Sequence, residues 1–489
     1  MVDAVVIGGG LAGLACAVAL ADRGMKAVVL EREELLGGRA RSWVDEQTGD
    51  TVDIGPHVLH SEYRNMLAFL ARLGTSELVT WQPRDVLTIA TKPRPFVLRH
   101  WPLLPAPLSL MPSMVLAPGP ALADHLSAAT TILRGMQFGE EDVPELDRMS
   151  ALDFLRSQGM TDRMIDWWWR FAAMVVTNVP IERCSAAAIL RIHAHLSGHR
   201  KLHFGFAAVG LSELYVPQAV RAIEQAGGEV RTHTRVCAII GDERADGVVL
   251  DDGTILHAKH VIAAVPPLDL QPLLPRAWRA RKPFDALDTF EPSPYISCYL
   301  WFDRRVMRER FVSHMWTQDR LNYDFYDLAR IRRGWKSRPS VVTSNIIYSH
   351  RAHGMSDEEI IAATVRELSE FAPEAARASL LHARVHRIPM AIPCPTPGTE
   401  AKRPHARTPV GGLMLAGDWL HTQLPCCMEG AVRAGWVAAE QVLADAGMPA
   451  QLALPPRPYD GLAGLVRRIT QWRRQRTGRR EDWVAGEGA

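Results

Sequence analysis

Two groups of residues at opposite ends of the chain have the types and spacing needed to hold a nucleotide. Near the start, Gly8-Gly9-Gly10-Leu11-Ala12-Gly13 fits G-x-G-x-x-G. In such a turn Gly8 lets the chain reverse tightly, Gly10 lets the backbone approach a pyrophosphate, and Gly13 lets the next helix lie close on the sheet. Glu31 closes the following apolar run, where a carboxylate can accept from a ribose hydroxyl. Arg32 follows it directly. Gly37-Gly38-Arg39 comes next, a pliable turn whose arginine offers forked donors to phosphate oxygens, with Arg41 just beyond. Near the other end, Gly412 to Asp418 reads as a short apolar strand closing in Gly417-Asp418. Met428-Glu429-Gly430-Ala431-Val432 then opens a helix, a second helix N-terminus behind a strand.

Positioning these groups requires a particular order of elements. Ala4-Val5-Val6-Ile7 reads as a buried parallel strand, Leu14, Ala17, Val18 and Ala21 as one face of a helix, and Ala27-Val28-Val29-Leu30 as the second strand. A third piece lies mid-chain. Glu229-Val230, Thr234-Arg235-Val236, Val248-Val249-Leu250 and His260 to Val265 read as strands, with an Asp252-Gly253 turn among them. The expectation is an α/β protein with a Rossmann-like nucleotide-binding domain assembled from 1–75, 206–270 and 405–445. An α+β substrate domain from 76–205 and 271–404 is inserted between those parts, and 446–489 forms a basic tail.

A Glu followed by a Gly-Gly-Arg turn, framed this way, resembles the flavin-binding amine oxidase and carotenoid desaturase superfamily. The resemblance implies FAD as the cofactor. It implies Arg39 against the pyrophosphate and Val236 touching the adenine through its backbone. Asp418 would lie near the ribityl or pyrophosphate, and the turn through Met428, Glu429 and Ala431 beneath the flavin ring. Asp53-Ile54-Gly55-Pro56-His57 resembles the D-x-G-P-H turn of the desaturases, which lies near the flavin. His57 is there the acid/base candidate, the alternative being a packed, satisfied ring. Ala416-Gly417-Asp418-Trp419 and Leu424-Pro425 before the Met428 turn look most like the hydroxysqualene dehydroxylases, and the plant-type phytoene desaturases share nearly the same turn. The implied activity is an FAD-dependent oxidoreductase acting on a polyisoprenoid. The first choice is a dehydroxylase, in which hydride from reduced flavin replaces a hydroxyl. A phytoene-type desaturase or a flavin-dependent isomerase is the alternative, and a non-catalytic membrane-associated flavin protein is the alternative of another class. The electron partner is left open.

Composition agrees with two or more globular domains. The chain has 489 residues, 47% of them hydrophobic and 22% charged, beyond the roughly 250–300 residues at which a single core stops growing. Seven scattered cysteines argue against a disulfide framework and for a reducing compartment. His193, His195, His199 and His203 lie close together, but without metalloprotease or zinc spacing, so no metal is expected. No G-x-S-x-G nucleophile elbow appears. Aromatic residues suited to an apolar wall are Trp168, within Trp167-Trp168-Trp169, and Tyr299 and Trp301, beside Tyr295 in a strand-like stretch.

Charge is uneven. Residues 461–480 hold seven arginines and no acid, so a net charge of +2 leaves −5 on the rest. Leu462, Leu465, Ile469 and Trp472 recur there at helical spacing, the pattern of a basic amphipathic helix. From Trp101 to Ala123 no residue is charged, yet six prolines prevent a spanning helix. The stretch reads as an apolar, irregular flap that can lie partly in a membrane, the alternative being a buried core loop. A basic tail suits nucleic acid or anionic lipid; its amphipathic spacing resembles a surface anchor to anionic lipid, the alternative being a disordered solvated tail, and no nucleic acid is expected. With no signal peptide read before the first strand, the expected location is cytoplasmic, at the inner face of the cytoplasmic membrane.

Overall fold

A computed structural model describes residues 2–82, 85–91, 94–315, 317 and 319–476. Five parallel strands form the nucleotide-binding sheet, in the order Glu229–Arg231, Ala27–Leu30, Val2–Ile7, Ile255–Ala263 and Leu413–Leu415. Their residues come from the three stretches that carry the motifs. Ala4 to Ile7 and Ala27 to Leu30 are buried throughout, as strands covered on both faces must be. Ile255–Ala263 runs on into an antiparallel meander with Gly247–Leu250 and Val236–Ile240, which sets Val236 at its outer corner.

The helix Leu11–Ala21 is buried on every side. Small residues make that feasible. A Cβ on Gly435, in the closing helix Met428–Asp445, would stand 2.3 Å from Ala12 O. The missing side chain lets the two helices touch backbone to backbone. One helix from each end of the chain therefore packs together over the sheet.

The substrate half is built on a seven-stranded sheet, in the order Leu380–Pro393, Pro292–Phe302, Val341–Ile347, Asp324–Asp327, Phe311–His314, Asp85–Ala90 and Phe96–Arg99. Its pairs are antiparallel except Phe311–His314 with Asp85–Ala90. Alternation gives it two faces. Ile296, Cys298, Leu300 and Phe302 pack with Ile360 and Leu368 of the helix Asp357–Ser369, and the other face looks toward the helices between 111 and 197.

The tail helix Gly461–Arg476 lies on the helix Ala129–Gln137. Ala463 N donates to Ala106 O at 2.9 Å, and Arg474 pairs with Glu141 and Asp142. Arg479, Arg480 and the rest of 477–489 lie outside the described residues. Among the described residues no helix is long and apolar enough to cross a membrane.

Candidate cofactor and substrate cavity

A cavity of about 1290 Å³ joins the two halves. That exceeds the roughly 300–1,000 Å³ typical of a pocket for one drug-sized ligand, leaving room for a cofactor and a substrate together. Gly8, Gly10, Leu11, Ala12, Glu31, Arg32, Gly38, Arg39, Gly55, Pro56, His57, Val236, Gly417, Asp418, Met428, Glu429 and Ala431 all line it. Trp168 does as well. Gly13 does not.

The three fingerprint glycines separate by what a side chain would meet. Gly8 has φ +106°, and a Cβ there would stand 2.7 Å from Ala264 O. On Gly13 it would stand 2.1 Å from Gly8 O, so this glycine serves close packing rather than a ligand. At Gly10 the nearest atom is Gly38 Cα, 3.9 Å away. The space a side chain would occupy there belongs to the cavity. No side chain caps the helix that begins at Leu11, so its first N–H groups face an anion site. This cradle fits a dinucleotide pyrophosphate. Glu31 is held in place by Gly9 N at 2.8 Å and Glu33 N at 3.0 Å.

Arg39 ties the two ends of the chain together. Its guanidinium donates to Asp418 Oδ1 at 2.6 Å and to Ala391 O at 2.7 Å. Asp418 is fixed in turn by Arg403, which donates to the carbonyls of Asp418, Trp419 and Leu424. Arg403 belongs to a buried ion network with Glu400, Arg191 and Glu140.

Glu429 has a second duty besides the cavity wall. It reaches the cavity wall, but its carboxylate accepts from Asn65 N, Asn65 Nδ2 and Met66 N. Those bonds cap the helix Arg64–Leu73. Cys426 and Cys427, like the other five cysteines, are free thiols, and burial raises the pKa of both. His57 donates from Nδ1 to Gly55 O at 2.9 Å, and burial lowers its pKa, so the ring is neutral near pH 7.

Beyond the Gly55 turn the wall becomes apolar, with Val86, Leu98, Met114, Phe171, Val175, Phe311 and Ile347. Residues 165–169 form a single wide π turn, which brings both Trp168 and Trp169 to the wall while Trp167 stacks on Phe96. Several histidines also line this part. Burial lowers His60 to about 3 and His100, His193 and His195 to about 4, so they enter as uncharged rings. Among the described residues no cluster is arranged for a metal.

Tyr299 and Trp301 are corrections. Neither lines the cavity. Tyr299 OH accepts from Asp53 N at 3.0 Å, and Trp301 Nε1 donates to Asp50 Oδ2 at 2.8 Å, so both tie the sheet to the segment leading into the Gly55 turn. Tyr295, earlier on the same face of the strand, takes the cavity position. Asp324, Tyr326 and Asn345 also line the wall, and the sequence reading missed them. The period-two pattern of Tyr323-Asp324-Phe325-Tyr326 was the available signal.

The sequence profile of flavin-containing amine oxidoreductases matches residues 11–443. The chain belongs to that family. As an amine-oxidase-family protein it is an FAD-dependent oxidoreductase. It is 26% identical to a 15-cis-phytoene desaturase of Synechococcus elongatus over 457 residues, covering 90% of this chain and 95% of that one. It is 24% identical to a zeta-carotene desaturase of Synechocystis, covering 90% and 97%. Among solved structures, a putrescine oxidase variant superposes with TM-score 0.70 at 17% identity, covering 91% and 99%. An oxidoreductase from Methanosarcina mazei superposes with TM-score 0.67 at 17% identity, covering 90% of this chain and 100% of that one. These structures bear on the fold of the family member described here, which has the two-part architecture expected of it.

Proposed function

We propose that the protein desaturates a long polyisoprenoid hydrocarbon of the phytoene type at a membrane surface. The observation that carries this reading is one continuous cavity. It opens on a pyrophosphate cradle at Gly10 and continues between Trp168, Phe171, Phe311 and Ile347. Bound FAD would supply a two-electron hydride acceptor. Gly10, Glu31, Arg39, Val236 and Asp418 would hold it, and the turns at Gly55–His57 and Met428–Ala431 would flank its ring. The protein's part is then to orient an extended chain and exclude water. Neutral histidines and aromatic walls make up much of the cavity lining.

Hydroxysqualene dehydroxylation, with hydride moving from reduced flavin to substrate, is the second reading. Ala416-Gly417-Asp418-Trp419 with Leu424-Pro425 favours it. Trp419 is buried and donates to Val265 O at 3.1 Å, which makes this sequence signature part of the cofactor loop. The membrane component is supported by Leu103, Leu116, Leu122 and Leu126, all exposed on the segment whose inner side covers the cavity.

One experiment decides between the directions. Purified protein containing oxidised flavin is mixed anaerobically with 15-cis-phytoene, and separately reduced protein is mixed with hydroxysqualene. Bleaching of the flavin with formation of a new double bond supports desaturation. Reoxidation with release of water supports the dehydroxylase. A protein that takes up no flavin sinks both.

A further inference from the structure

Four strands of the substrate sheet place polar residues directly opposite one another. Ser313 faces Asp324, Asp324 faces Asn345, and Asn345 faces Ser297. Opposed residues share a face, so the four side chains form one row across the cavity side of the sheet. All four are buried, Asp324 with only 4% exposure. The row ends beneath the Gly55 turn, where Ser297 Cβ stands 3.6 Å from the position a Cβ on Gly55 would take. Adjacent strands are about 4.8 Å apart, which puts Asp324 two strand spacings from that turn.

A polar row is unexpected in the floor of a hydrocarbon channel, because a buried acceptor without a donor is destabilising. Asn345 Oδ1 and Ser297 Oγ have no hydrogen-bond partner among the described residues. Asp324 accepts from Ser313 Oγ and, at 3.4 Å, from Tyr326 OH.

The other cavity carboxylates have fixed duties. Glu31 is held by backbone donors, Asp418 by Arg39, and Glu429 by the cap at Asn65 and Met66. Glu33 and Asp269 lie against Arg32, and Glu62 against Arg457. Asp324 has no cationic partner among the described residues. Burial raises its pKa to about 6, against the opposing effect of Ser313 and Tyr326. It is thus mostly ionised at neutral pH yet close enough to neutrality to hold a proton, the range suited to a general base.

We propose that Asp324 is the catalytic base of this site, with Asn345 and Ser297 as polar groups that favour positive charge beside it. The proposal rests on the desaturation reading given above. Bound FAD would accept a hydride, with both electrons of one C–H bond, from one carbon of the chain. Positive charge is left on that carbon. The neighbouring carbon then loses a proton to an Asp324 carboxylate oxygen, and the electron pair of that C–H bond becomes the new π bond. The substrate is oxidised by two electrons, the flavin is reduced by two, and Asp324 holds the proton until it passes to water. Asn345 Oδ1, with no donor of its own, presents the negative end of an amide dipole to the same space, which favours the charged intermediate.

The test uses flavin-loaded Asp324→Asn and Asn345→Leu, checked for flavin content and melting temperature against wild type. Phytoene binding is read from the perturbation of the oxidised flavin spectrum, and hydride transfer from anaerobic single-turnover bleaching. The expected result for Asp324→Asn is unchanged binding with desaturation slowed on the order of 10²- to 10⁴-fold. Asn345→Leu is expected to slow it about tenfold. Independently of turnover, infrared difference spectra of the flavin-free protein should show a buried carboxylic C=O band growing in as pH falls through about 6, with contributions from Asp324 and from Asp327, and the Asp324 component should be missing from Asp324→Asn. Desaturation by Asp324→Asn as fast as by wild type, or no Asp324 component in the wild-type band, overturns the assignment. If no isoprenoid bleaches the wild-type flavin while the carboxyl band titrates, the desaturase reading has failed, and the base assignment with it.

Discussion

At the scale of single residues, the fingerprint glycines are chemically alike and physically different. A methyl group on Gly13 has nowhere to go, because it would stand 2.1 Å from Gly8 O. At Gly10 it would enter open cavity. Gly13→Val should therefore fail as a fold, with loss of soluble protein or a melting temperature far below wild type. Gly10→Val should fold, melt as the flavin-free wild type does, and elute colourless. The check is a paired thermal melt and flavin titration, and equal flavin uptake by Gly10→Val and wild type would refute the cradle. The same contrast marks how far residue types can be read. The glycine spacing and Glu31 could be read as one local motif, and both line the cavity, whereas the partners of Arg39, Ala391 and Asp418, are remote in sequence and could not. The bonds of Glu429 to Asn65 and Met66 were not legible, because those partners are remote in sequence and a carboxylate in a motif does not declare which end of the chain it caps.

At the scale of elements, the helix Ala186–Ser197 carries His193 and His195 into the cavity wall, with His199 just past its end. Burial is the largest cause holding all three at about 4. Their folded values lie below the unfolded value of about 6.5. Between those limits the unfolded chain binds more protons than the native one, so stability is full above about pH 6.5 and falls as pH drops toward 4. Melting temperature should decline across that window, and His193→Phe should flatten the decline, since a ring against Trp169 is kept while the titration is removed. An unchanged slope in the variant would exclude His193 from the linkage. Strand and helix identities were largely legible from periodicity, including the strand around Tyr299. Which of its residues meets the cavity was not. Tyr299 and Trp301 share a face with Tyr295, and the choice among them depends on where the Asp50–Asp53 segment crosses the sheet, which no local pattern records. The wide turn at Ile165–Trp169 was likewise invisible, because an extra residue in a turn leaves no signature in residue type.

At the scale of the whole molecule, two touching segments expose apolar side chains that a lipid surface could contact. Leu103 is 96% exposed, Leu116 69% and Leu122 68%. The tail helix adds Leu462, Leu465, Ile469 and Trp472, each at least 38% exposed. Scattered exposed leucines are ordinary, but these sit on two segments that touch, with Ala463 bonded to Ala106. The inner side of the first segment supplies Pro107, Leu110, Met111 and Met114 to the cavity wall. A hydrocarbon insoluble in water could pass from a bilayer into that channel across this segment. Arginines of the tail helix would add attraction to anionic headgroups, about 1 kcal/mol for each one close to the surface, while the leucines supply the salt-independent part. The protein should therefore sediment with vesicles rich in phosphatidylglycerol more than with pure phosphatidylcholine, and added salt should weaken the difference. Leu103→Asp with Leu116→Asp should abolish the salt-resistant fraction while flavin content stays constant. Removing residues 461–489 should lower the salt-sensitive fraction. Binding that ignores both headgroup charge and the two leucines would show that this face meets something other than lipid.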